Sequence, residues 1–128
     1  MRQFKFRVWH KPEKKMHYYL KAKFGQGTNI TLEGKFKDVD QITTKTVPNE
    51  DLEVMQFIGL LDKNGNEVFE GDLLKIGQLT GRYEVVWQED GAYFRARRVG
   101  SDTGYSFTNI SYPFEVIGNI YENSELLK

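Results

Sequence analysis

Residues 51–76, DLEVMQFIGLLDKNGNEVFEGDLLKI, decide the fold of this chain. The apolar run from Phe57 to Leu61 stops at Asp62-Lys63-Asn64-Gly65-Asn66, a stretch dense in turn formers. Val68-Phe69 follows and breaks at Glu70-Gly71-Asp72, after which Leu73, Leu74 and Ile76 resume an extended pattern. An Asn-Gly pair between apolar segments is a strong hairpin signal, because Gly65 accepts the positive φ that a tight reversal demands. Gly71-Asp72 marks a second sharp turn, where a short carboxylate bonds nearby backbone amides. The stretch predicts a tight β-arch. It describes architecture rather than chemistry.

On the N-terminal side, Phe4, Phe6 and Val8 alternate with Gln3, Lys5 and Arg7. Over Lys15–Phe24, Met16, Tyr18, Leu20, Ala22 and Phe24 alternate with Lys15, His17, Tyr19, Lys21 and Lys23. Period-two alternation of this length predicts half-buried strands, and the HKPEK connection makes them a β-hairpin. Residues 25–50 carry weaker signals: a Gly25-Gln-Gly27 loop, a stretch at Asn29–Leu32 suited to a short strand, and a polar, Thr-rich run over 38–47. Pro48-Asn49-Glu50 reads as the linker into the central motif, and 25–50 is expected to be the most mobile and variable part of the chain.

On the C-terminal side, Arg82–Trp87 and Ala92–Arg98 predict two strands joined by Gln-Glu-Asp-Gly, with Asp90-Gly91 as the turn. Ser101–Gly104 is a loop, and Tyr105–Ile110 suits another strand. Phe114–Tyr121 is a strand whose Gly118 indicates a bulge or a close backbone approach. Asn123 or Ser124 caps a short helical turn over 125–127. The expected fold is mainly β: an N-terminal hairpin, an SH3-like small β-barrel and a short C-terminal helical turn. The whole chain, 1–128, is expected to form one domain. Within it, 1–50 is the N-terminal β sub-region with its linker and 51–128 is the barrel region. Gly65, Gly71, Asp72, Gly91 and Gly118 are its expected structural turn positions.

The same motifs carry a family resemblance. The opening Phe4-Lys-Phe-Arg-Val-Trp9, the signature Met55-Gln-Phe-Ile-Gly59, Asp62-Lys-Asn-Gly65 and Phe69-Glu-Gly-Asp72, and the ending Phe114-Glu-Val-Ile-Gly-Asn-Ile-Tyr-Glu-Asn123 with Glu125-Leu-Leu127 resemble the YopX family. These pieces span most of the chain and leave 25–50 and 99–113 unmatched. Where this chain has Phe57-Ile58 and Ser124, family members often carry Tyr-Thr and Pro. The resemblance implies a β-rich fold, a bacteriophage or prophage origin and no established activity, so it brings no catalytic residues to transfer.

Composition narrows the function classes. A chain of 128 residues buries roughly two-thirds of its unfolded surface, enough for a core without staples. The absence of cysteine excludes disulfides and thiolate metal sites and fits a reducing cytosol. The N-terminus has no uninterrupted apolar stretch, so neither a signal peptide nor a membrane span is expected, and the location is expected to be the bacterial cytoplasm. Net charge is zero, yet residues 1–57 hold 11 Lys+Arg against 7 Asp+Glu while 58–128 hold 7 against 11. Opposite-signed halves invite self-association, with the outer strand of the N-terminal hairpin as an open edge for a homo-oligomer.

Candidate chemistry is sparse. His10 and His17 are the only imidazoles and lack the spacing of a zinc site, so no metal or cofactor is expected. Asp62, Glu67, Glu70 and Asp72, with Glu89-Asp90, cluster as paired carboxylates do in hydrolases. Asp62, Asp72 and Asp90 nevertheless sit where turns need backbone-bonding side chains, so no catalytic residue is assigned. The best lead is basic. On one face of the N-terminal hairpin, Lys5, Arg7, Lys15, Lys21 and Lys23 are expected beside Trp9, His17 and Tyr19, a pattern able to track phosphates and stack bases. The competing explanation is that lysines simply protect a solvent-facing or edge strand. Arg95, Arg97 and Arg98 form a second basic cluster. The expected function is a phage-encoded, non-enzymatic binding or adaptor protein for a host or phage protein. The alternative is nucleic-acid binding through Lys5, Arg7, Trp9, Lys15, Tyr19, Lys21 and Lys23.

Overall fold

The computed structural model describes residues 4–24, 29–35 and 43–128, with side chains over 4–18 and 46–128. The protein is mainly β and divides into two compact units, Gln3–Gln56 and Phe57–Lys128. The division falls inside a strand, not at the 50/51 boundary read from the sequence.

The N-terminal unit contains β1 (Phe6–His10), β2 (Lys15–Phe24), β3 (Asn29–Lys35), β4 (Thr43–Pro48) and the first half of β5 (Leu52–Leu61). β1 and β2 form the expected hairpin, with Val8 opposite His17 and Trp9 opposite Met16. A one-turn 3-10 helix, Asn49–Asp51, then returns the chain so that β5 pairs antiparallel along the other side of β1, from Phe6↔Gln56 to His10↔Leu52. β1 is therefore an interior strand. β2 is also covered on both sides, because it pairs with β3. The expected open edge at the N-terminal hairpin is thus corrected: Leu52–Gln56 and Asn29–Lys35 fill it. β4 was not legible as a strand, since its Thr-rich sequence lacks apolar alternation, yet it pairs with β3 from Asn29↔Pro48 to Gly34↔Thr43. Among the described residues, Val8, Val47 and Leu52 form a buried cluster in this unit.

The C-terminal unit begins with the second half of β5, which forms the predicted hairpin with β6 (Glu67–Phe69). Gly65 sits in that turn at φ 82° and Gly71 in the next at φ 84°, as the sequence required. The unit continues with β7 (Asp72–Ile76), β8 (Tyr83–Gln88), β9 (Tyr93–Arg98), β10 (Gly104–Ser106) and β11 (Phe114–Asn119). These form a five-stranded sheet in the order β10-β9-β8-β7-β11, compatible with a small β-barrel. The strand expected over 105–110 is shorter, because a 3-10 turn at Phe107–Asn109 ends it. A last 3-10 turn, Ser124–Leu127, matches the predicted terminal turn.

Tyr83, Val85 and Ala96 lie in phase along β8 and β9 and join Val68, Leu74 and Ile76 in the core of this unit. Ile58, Phe107, Phe114 and Val116 pack against them. Side chains of this size each contribute roughly 1.5–3 kcal/mol when removed from water, so this cluster is the main apolar stabilisation of the unit.

Gly118 occupies the predicted bulge, where the register of β11 against β7 shifts between Val116 and Gly118. A Cβ there would lie 2.6 Å from Asn123 Oδ1, the oxygen that accepts the Asn119 N–H at 3.1 Å. Gly118→Ala must displace Asn123 from that bond. The expected loss is about 1–3 kcal/mol, typical of forced overpacking, seen as a lower urea midpoint with an unchanged m-value.

Candidate functional site

The N-terminal register separates the residues of the basic strip. Residues directly opposite in an antiparallel pair share a face. Arg7 and Trp9 therefore lie with Met16, Tyr18, Glu53 and Met55, while Lys15 and His17 lie on the other face with Val8, His10 and Leu52. The expectation of one basic face is corrected on this point, because it carried the phase of β1 across the turn without the register that the turn sets. Arg7 is 3% exposed and half-buried Trp9 lies beside it in phase, whereas Lys5 and Lys15 are exposed. Tyr19, Lys21 and Lys23 lie in β2, opposite Phe6, Glu33 and Thr31, and their side chains fall outside the described residues.

His17 is buried, with its ring 6.3 Å from that of His10 in an edge-on arrangement. His10 Nδ1 lies 3.2 Å from Glu13 Oε1. Burial, with the neighbouring charges of His10 and Lys15, lowers the His17 pKa to about 4. Among the described residues no group of three or more His, Cys, Asp or Glu side chains could hold a metal ion.

Two of the motif carboxylates, Asp62 and Asp72, are occupied by backbone. Asp62 Oδ1 accepts the N–H of Asn64 at 2.9 Å and of Asn66 at 2.8 Å. Its Oδ2 accepts the N–H of Val116, 54 positions further along the chain, at 2.9 Å, and the Asn66 side-chain amide at 3.3 Å. Burial pushes this carboxyl up, but the backbone bonds from Val116, Asn66 and Asn64, with the Asn66 amide, hold it below the usual carboxylate range. Asp72, fully buried, accepts the Phe69 N–H at 2.8 Å and so closes the turn at Glu70-Gly71. Asn119 repeats the device near the C-terminus, accepting the N–H groups of Tyr121 and Glu122. A carboxylate already accepting several backbone bonds is a poor proton carrier, so Asp62 serves its turn and β11, and Asp72 closes the next turn.

Two of the exposed aromatic side chains of the C-terminal unit lie on the β8–β9 hairpin, apart from Tyr105 and Tyr112 elsewhere in the unit. Trp87 is 44% exposed and Tyr93 is 42% exposed. Trp87 packs edge-to-face on Phe94, ring centres 4.9 Å apart. Tyr93 lies over the turn: a Cβ on Gly91, which has φ 94°, would meet its ring at 2.9 Å. Both rings thus have a packing contact while remaining accessible. Sequence reading missed them because Trp87 is in phase with the buried Tyr83 and Val85, and nothing in the alternation reveals that the core ends before it. Of the second basic cluster, Arg95 Nη2 bonds Asp102 Oδ1 at 2.9 Å and Arg97 Nη2 bonds Glu84 Oε1 at 3.2 Å. Arg98 is exposed.

Residues 5–128 match the model of a family described as YopX protein. Over its full length the chain is similar to the crystal structure of protein EF1440 from Enterococcus faecalis, with 28% identity, a TM-score of 0.70 and complete coverage of both chains. It is also similar to the crystal structure of protein yopX from Bacillus subtilis, with 22% identity, a TM-score of 0.61, and coverage of 100% of this chain and 98% of that one. The second likeness bears on the fold alone. No curated protein matches the chain.

Two stability measurements check the electrostatics. In Asp62→Asn one amide face becomes a donor that meets the Val116 or Asn66 N–H, so the variant is expected to lose about 2–3 kcal/mol by urea unfolding at pH 7. His17 has a folded-state pKa below its unfolded value, so the unfolded chain takes up the proton first. Its contribution is complete above pH 6.5 and falls as the pH drops towards 4, by up to roughly 3 kcal/mol. Urea midpoints between pH 7 and pH 4 are expected to show that slope, and His17→Gln is expected to flatten it.

Proposed function

This chain belongs to the YopX family, and from that premise we propose that it is a non-enzymatic binding protein whose partner is a host or phage protein. The family resemblance is the ground for placing it in a phage or prophage programme and in the cytoplasm of the bacterial host. One observation carries the binding reading. Asp62 and Asp72, the turn carboxylates of the central arch, bond backbone amides, whereas the aromatic side chains on the β8–β9 hairpin are accessible and packed against neighbouring groups.

Exposed, pre-ordered Trp and Tyr side chains are what protein interfaces use as anchors. They bury a large area and lose little conformational freedom on binding. The nucleic-acid alternative is weaker, because the register splits its basic strip between two faces. Arg95 and Arg97 are likewise engaged by Asp102 and Glu84.

The test is affinity capture from host and phage-infected lysates with the wild-type protein and a Trp87→Thr/Tyr93→Ala variant, melting temperatures being matched first. A saturable protein partner is expected, with affinity about thirty-fold lower for the variant, the loss of roughly 2 kcal/mol that follows removal of an anchor. Substrate turnover with no saturable partner would overturn the reading. So would a partner indifferent to both substitutions.

A further inference from the structure

The carboxylates of the C-terminal unit fall into distinct groups. Asp62 and Asp72 are buried among backbone amides. Glu84, Asp102 and Glu115 are paired with Arg97, Arg95 and Lys63. Glu122 accepts the Asn119 amide. At the tip of the β8–β9 hairpin, Glu89 and Asp90 are exposed, and among the described residues neither side chain has a hydrogen-bond or ion-pair partner. Glu125 shares that condition, but it precedes Leu126 and Leu127 rather than lying between aromatic rings.

Glu89 and Asp90 lie between Trp87 and Tyr93 in sequence, and the turn places those two rings on opposite faces of the hairpin, Trp87 opposite Phe94 and Tyr93 opposite Gln88. Among the described residues of this unit, nearby cations do not neutralise the tip. Arg95, in phase with Tyr93, is committed to Asp102 at 2.9 Å, and Arg97 to Glu84. Arg98 lies five residues along β9 from Tyr93, about 17 Å at ~3.4 Å per residue. That exceeds the screening length of about 8 Å at physiological salt. Among the described residues of this unit, the tip therefore presents two uncompensated negative charges flanked by two packed π-faces, on a unit that is itself acidic, with 7 Lys+Arg against 11 Asp+Glu over 58–128.

From this we infer that the β8–β9 tip docks a cationic segment of the partner protein, seating a Lys or Arg side chain on the face of Trp87 or Tyr93 with its charge met by Glu89 and Asp90. Cations bind the faces of Trp and Tyr through the ring quadrupole, and a guanidinium adds directed bonds to carboxylates. The inference rests on the protein-binding reading and specifies the chemistry of the partner.

The experiment is an NMR titration of the full chain with hexaarginine and, as a control, hexaglutamate, at low and high salt. It is run on the wild type, on Glu89→Gln/Asp90→Asn and on Glu125→Gln. Hexaarginine is expected to shift the Trp87 indole N–H and the amides of residues 88–93, with binding at least about five-fold weaker in the Glu89→Gln/Asp90→Asn variant and at high salt. Glu125→Gln is expected to bind like the wild type. Shifts scattered over all exposed carboxylates, equal binding by the charge-neutral variant, or equal shifts with hexaglutamate would overturn the inference. Tip amides that move with protein concentration alone would also overturn it, since the occupant would then be a second copy. A protein captured equally well by the wild type and Glu89→Gln/Asp90→Asn, but lost from Trp87→Thr/Tyr93→Ala, overturns this inference and leaves the protein-binding reading standing. Hexaarginine bound at the tip with no protein captured supports the cation preference and overturns that reading instead.

Discussion

The carboxylate of Asp62 is the interaction on which the C-terminal unit depends. It joins two parts of the chain that sequence separation alone would leave independent: the β5–β6 turn, through Asn64 and Asn66, and β11, through Val116. One backbone bond reinforces the joint, Lys63 N–H to Phe114 O at 3.0 Å, and another, Asp62 N–H to Asn66 O at 2.8 Å, closes the turn itself. β11 is a terminal strand of its sheet, and Asp62 with Lys63 satisfies backbone groups there that would otherwise face outward. One buried, charged acceptor therefore sets a turn and also covers a strand edge, the position at which a sheet invites unwanted pairing. Asp72 and Asn119 act locally in the same manner, and Gly71 links them: its N–H reaches Val85 O and its carbonyl accepts from Ile120.

This arrangement explains what the sequence disclosed and what it withheld. Asn64-Gly65 and Gly71-Asp72 announced their turns because the requirement for positive φ and a short acceptor is local. The N-terminal alternation announced β1 and β2 for the same reason. Strand order was not legible. β5 pairs with β1 across more than forty intervening residues, and no period-two pattern in Leu52–Gln56 names its partner. β4 was missed because Thr43–Thr46 offers β-branched residues without apolar contrast. Asp62 was recognisable as a turn residue, but its bond to Val116 was not, since a long-range acceptor looks the same in sequence as a local one.

The candidate binding surface was hidden by a related ambiguity. Trp87 continues the phase of Tyr83 and Val85, and only the end of the core distinguishes an exposed ring from a buried one. Conversely, Arg7 looked like a solvent-facing cation and is buried. Charged and aromatic residues in strands thus carry two meanings, resolved by register. The outcome is a division of labour among side chains. Asp62, Asp72 and Asn119 hold backbone in place, and Trp87 and Tyr93 near the ends of β8 and β9 stay exposed.

The central claim is that Asp62 is a structural acceptor coupling the β5–β6 turn to β11. Amide hydrogen exchange tests it most directly, because exchange reports each N–H separately under native conditions. The Val116 and Asn66 amides are expected to be protected to nearly the same degree as core amides such as that of Val85, and to lose that protection together in Asp62→Ala while Val85 stays protected above them. Rapid exchange of Val116 in the wild type, or protection of Val116 and Asn66 that survives Asp62→Ala, would contradict the account.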